Sequence, residues 1–108
     1  MIIVVDLTEE RVILAEPDDF SRFSVAVEGD GAEQDLVAVV RESGLGRMAD
    51  DGAHVVVDPV SLRALAGPSA TPAWDEGFAA MSTYAAGKGW VEADGGILAH
   101  LERKDGPE

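Results

Sequence analysis

The sequence predicts an α+β fold: a mainly antiparallel sheet with about three helices on one face and a C-terminal β-hairpin. Three observations carry this expectation. Short β-branched runs at residues 2–7 and 53–57 have strand character, Asp58-Pro59 and Thr71-Pro72 each pair a capping residue with a proline, and two short runs flank Asp94-Gly95-Gly96 near the end.

Residues 2–7 form a near-continuous apolar run, the pattern of a strand paired centrally in a sheet. Thr8-Glu9-Glu10 interrupts it before Arg11-Val12-Ile13-Leu14-Ala15, which predicts a hairpin between the two runs. Pro17-Asp18-Asp19 punctuates the chain, and residues 20–22 suit a helical turn. Phe23, Val25 and Val27 then alternate with Ser24, Ala26 and Glu28, as in a strand with one buried face.

Asp30-Gly31-Ala32-Glu33 has the offsets of a capping box, so a helix is expected over residues 31–43, with Gly44 in the left-handed position after it. Residues 45–52 read as a polar connector, and 53–57 as the next strand. Asp58 caps a short helix that runs to Gly67, with proline at its first position. From Pro72, Trp74, Phe78, Met81 and Ala85 recur at helical spacing on one stripe, while Asp75 and Glu76 complement the helix dipole in the first turn. Gly77 weakens this helix by about 1 kcal/mol relative to alanine, which points to tight packing at that position. The last predicted element is the hairpin of residues 90–93 and 97–101.

The 108 residues suit a single domain over 1–102, followed by a frayed charged tail at 103–108. Twenty-one acidic against 8 basic residues give a net charge of −13, yet 46% of the chain is hydrophobic, which argues against disorder. Such a charge disfavours nucleic acid and anionic membrane and favours a basic protein partner. Cysteine is absent, which excludes disulfides and thiolate chemistry. The opening apolar run stops at Asp6, too early for a membrane span or a signal peptide, so a cytoplasmic location is expected.

The candidate chemistry is sparse. Gly44-Leu45-Gly46-Arg47 follows a helix and lacks the remaining residues of a phosphate-binding loop. His54 and His100 are weak catalytic candidates as acid/base groups, although a lone histidine is more often structural. Asp58 lies on the face of His54 but about 13 Å along the strand, out of reach. Asp18-Asp19 and Asp50-Asp51 read as solvated loop charge, and no spacing suggests a metal or other cofactor. Trp74, Tyr84 and Trp90 are the candidates for ligand or partner binding, weighed against a plain core stripe.

A helix followed by Gly89-Trp90-Val91 and a glycine-turned hairpin resembles the ending of winged-helix DNA-binding domains over residues 71–101. The strand-rich first half departs from that family, and Asp75 and Glu76 on the helix leave few phosphate donors, so the likeness is one of local geometry.

The functional expectation is an acidic protein-interaction or regulatory module. The alternative is a small-molecule-binding protein or small enzyme with a pocket between the 72–86 helix and the sheet. A homodimer is also expected, because residues 2–7 and 97–101 lack the proline and lysine that protect exposed sheet edges.

Overall fold

The computed structural model describes residues 1–20, 23–29 and 31–103. The strands are β1 (Ile2–Asp6), β2 (Arg11–Ala15), β3 (Ser24–Glu28), β4 (Gly46–Met48), β5 (His54–Val57) and β6 (Ile97–Arg103). The helices are α1 (Glu33–Glu42), α2 (Pro59–Ala66) and α3 (Pro72–Gly87), with a 3₁₀ turn at Gly67–Ser69. The α+β class and the three helices agree with the sequence expectation. The predicted tail starts at Arg103, but that residue closes β6; the rest of the tail, residues 21–22 of the predicted helical turn and the capping role of Asp30 lie outside the described residues.

The six strands form one sheet in the order β2-β1-β3-β6-β5-β4. It is mixed, not mainly antiparallel: β1–β2, β4–β5 and β5–β6 are antiparallel, whereas β1–β3 and β3–β6 are parallel. The reason lies in the first connection. The β1–β2 hairpin returns the chain to the end where β1 begins, so β3 enters from that end and runs parallel to β1 on its other side. Adjacent strands are only about 4.8 Å apart, a distance the intervening loop easily spans.

β1 is therefore interior, as its apolar run predicts, with Ile3 and Val5 fully buried. The expectation that residues 2–7 and 97–101 form exposed edges is corrected, because β1 lies between β2 and β3, and β6 between β3 and β5. The outermost strands are β2 and β4. β4 itself falls within the predicted polar connector: its three residues are too few for periodicity to show, and buried Leu45 anchors it.

The predicted C-terminal hairpin is also corrected. Only Val91 bridges Ile97, with Glu92 N donating to the Gly96 carbonyl at 2.7 Å, while β6 makes its main ladders to β3 and β5. β3 takes that flank of β6 from His100 onward, which leaves only the start of β6 open to residues 90–92.

Local signals explain the junctions. Asp6 Oδ1 accepts from Thr8 N at 3.0 Å and Glu9 N at 3.1 Å, which turns the chain between β1 and β2. Asp35 Oδ2 accepts from Ala32 N at 2.9 Å, the carboxylate half of a capping box shifted two residues from the expected register. Gly44 takes the left-handed conformation at φ 81°. Asp58 holds the N-cap position of α2, but its carboxylate accepts from Ser61 Oγ at 3.0 Å and from no backbone N–H of the helix. Thr71 Oγ1 accepts from Trp74 N at 3.2 Å, capping α3.

One core joins sheet and helices. It gathers Ile3, Val5, Val25, Val27, Val55, Val57 and Ala99 from one face of the sheet, Leu36, Val39 and Val40 from α1, Leu62 and Ala66 from α2, and Trp74 from α3. The close packing suspected at Gly77 is real, since a Cβ there would lie 2.4 Å from the Phe20 ring.

Candidate functional site

A concave cavity of about 390 Å³ opens at the seam between the C-terminal half of α3 and the sheet. The strand register creates it. β3 begins at Ser24, opposite His100, so Ile97 to Ala99 of β6 extend past the start of β3. Further along that flank, the chain leaving α3 takes the place of a strand: Val91 bridges Ile97, and the Trp90 carbonyl accepts from Leu98 N at 2.8 Å. The gap between Phe23 and Trp90 is the cavity, roofed by Met81, Tyr84 and Ala85 of α3.

His54 and His100 both line it. They face each other across the antiparallel β5–β6 ladder, with ring centroids 5.7 Å apart and planes at 74°. His54 Nδ1 lies 2.8 Å from Asp51 Oδ2, and the same aspartate accepts backbone N–H groups from Ala53 at 2.8 Å and His54 at 3.2 Å. The Ala53 N–H and the His54 ring hold the Asp51 carboxyl below the usual carboxylate range, which keeps it ionised at neutral pH. The expectation of Asp51 as solvated loop charge thus misses its role in orienting an imidazole. The local signal was an aspartate three residues before a histidine in a glycine turn.

Tyr84 and Trp90 stand at the rim, 61% and 45% exposed, with ring centroids 6.2 Å apart in edge contact. Lys88 Nζ sits 5.4 Å from the centroid of the Tyr84 ring. Trp74, the third aromatic candidate, is 1% exposed and lies outside the cavity lining. Its ring stacks on Phe78 at 5.1 Å, and its Nε1 donates to the Pro17 carbonyl at 2.9 Å.

The segment that carries Trp90 is tied to the sheet edge. Arg47 of β4 donates to Asp94 Oδ2 at 3.0 Å and approaches Glu92 Oε1 at 3.7 Å. Arg47→Ala is expected to speed hydrogen exchange at the Glu92 and Gly95 amides while Val5 stays protected. Equal exchange in both proteins would show that backbone bonds alone hold the segment.

Among the described residues three surface carboxylates have lowered pKa values: Asp51 as above, Asp75 through Arg63, and Asp94 through the Gly96 N–H and Arg47. A carboxyl whose folded pKa lies below its unfolded value contributes stability above the unfolded value, and that contribution is lost as pH falls through the folded pKa. The melting temperature is therefore expected to fall below about pH 4, where these groups protonate. A melting temperature that is constant or rising down to about pH 2.5 would contradict this.

Among the described residues no group of three potential ligands is placed to hold a metal ion, and no helix is long and apolar enough to cross a membrane. No family model matches the chain, and no curated protein or solved structure proved similar to it, so the cavity's own residues carry the functional argument.

Proposed function

We propose that the protein binds a small molecule in the cavity between α3 and the sheet, at His54 and His100. The observation that carries this reading is convergence: two histidines from paired strands, one oriented by a carboxylate, meet two exposed aromatic rings around one concavity. Its volume, about 390 Å³, falls within the usual range of ligand pockets, and an apolar lining with a few placed polar groups is their usual composition. The net charge of −13 favours neutral or cationic ligands over anions. An imidazole held by a carboxylate also has the form of a general base, but among the described residues no serine, threonine or cysteine lines the cavity as a nucleophile. Ligand binding is accordingly the primary reading, with acid/base chemistry at His54 or His100 its extension.

Ligand-observed NMR with a library of small planar fragments tests the reading. Wild-type protein is expected to retain several neutral hits, and Trp90→Ala to weaken most of them without loss of fold, because Trp90 lies at the half-exposed rim. A library with no hit, or hits indifferent to Trp90, would remove the support.

The charge of −13 favours a second reading, an interaction module for a basic protein. Saturable binding of a lysine-rich peptide that weakens steeply with salt would favour it over the cavity. Self-association as a twofold dimer stands beside either reading, through β2 or β4 as the outermost strands. A strictly monomeric mass by light scattering at high concentration would remove it.

A further inference from the structure

We infer that the cavity selects planar molecules bearing an O–H or N–H donor, with His54 Nε2 as the accepting atom, an inference that rests on the ligand-binding reading above. An ionised carboxylate only accepts hydrogen bonds, so the 2.8 Å contact from His54 Nδ1 to Asp51 Oδ2 requires the proton on Nδ1. In its neutral form the ring then carries its lone pair on Nε2, so the titrations below are run in buffer well above the histidine range. That atom has no hydrogen-bond partner among the described residues, and the His54 side chain is 35% exposed on a cavity whose neighbouring walls include Leu98 and Met81.

An Nε2 lone pair on a cavity that Leu98 and Met81 also line discriminates by chemistry. A phenol, an enol or an N–H heterocycle satisfies it. An ether of the same shape leaves it unpaired, and a carboxylate meets the repulsion of Asp51 and of the whole acidic molecule. His100 reinforces the selection, since its ring packs against that of His54 at 74° and limits how far the imidazole can turn from the Asp51 hydrogen bond. The flat rings of Tyr84 and Trp90 at the mouth suit a planar guest.

The test compares 2-naphthol with 2-methoxynaphthalene, which differ by the donor. Titrations followed through amide shifts give both affinities, and long-range nitrogen–proton correlation of the imidazoles reports His54 Nε2 directly. Naphthol is expected to bind about tenfold more tightly or better. It should move His54 Nε2 towards the shift of a hydrogen-bonded acceptor, while His54→Phe reduces the ratio of the two affinities towards one. Equal affinities at the cavity would overturn the inference and leave the ligand-binding reading intact. Selectivity that survives in His54→Phe, or an unmoved His54 Nε2 in wild type, would overturn the assignment of the acceptor. Failure of both compounds to perturb Tyr84, Trp90 and His54 would overturn this inference and count against the cavity reading as well.

Discussion

Trp74→Ala is expected to lower stability by about 3–5 kcal/mol, the usual cost of deleting a buried aromatic side chain. Trp74 joins the start of α3 to the core: it is 1% exposed, stacks on Phe78 at 5.1 Å, and contacts Phe20 at 6.0 Å. Its indole N–H holds the Pro17 carbonyl, so the substitution also frees a bond between segments 57 positions apart. For a domain of this size each kcal/mol shifts the melting temperature by roughly 4–8 °C, so a fall of at least about 12 °C is expected. A fall under about 4 °C would show that α3 is held chiefly by other contacts.

The second large effect is at Gly46, where β4 begins. A Cβ there would lie 1.8 Å from the Val56 carbonyl oxygen, inside the β4–β5 ladder and against backbone that has no rotamer to escape into. Gly46→Ala is expected to cost about 3 kcal/mol, the upper end of overpacking penalties, by prising β4 from β5. Gly52 supplies the contrast, because its φ of 70° is also positive but no atom lies within 4 Å of its would-be Cβ. Gly52→Ala should therefore cost only about 1–2 kcal/mol, the strain of the left-handed conformation alone. Equal losses at the two positions by chemical denaturation would refute the steric account of Gly46.

The contrast between these glycines marks where sequence reasoning stops. Gly46 sits in the predicted connector because three residues show no alternation, and its clash is with Val56, a neighbour that only the β4–β5 register supplies. Elements written locally were legible: the apolar run of β1, the Thr71-Pro72 start of α3, and the close approach implied by Gly77. Long-range competition was not. The hairpin expected around Gly95 gave way to the ladders of β6 with β3 and β5, and the order of those ladders made the sheet mixed.

The site divides in the same way. His54, His100, Tyr84 and Trp90 were nameable from residue type, and the seam between the helix and the sheet from the amphipathic stripe. That His54 and His100 meet depends on their pairing across β5 and β6, 46 positions apart in sequence. Trp74 looked like Trp90 by type, but position on the α3 stripe separates them: Trp74 faces the core, whereas Trp90 lies past the end of the helix, where the strand register leaves a gap.

The most direct measurement is protein-observed NMR of the full chain against neutral planar fragments, with backbone amides and the histidine and tryptophan side chains assigned. If the cavity is the functional site, the shifts caused by unrelated fragments converge on His54, Tyr84, Trp90, Leu98 and His100 and leave the Trp74 indole unmoved. Shifts scattered over the surface, or centred on the outer strands β2 and β4, would contradict the account.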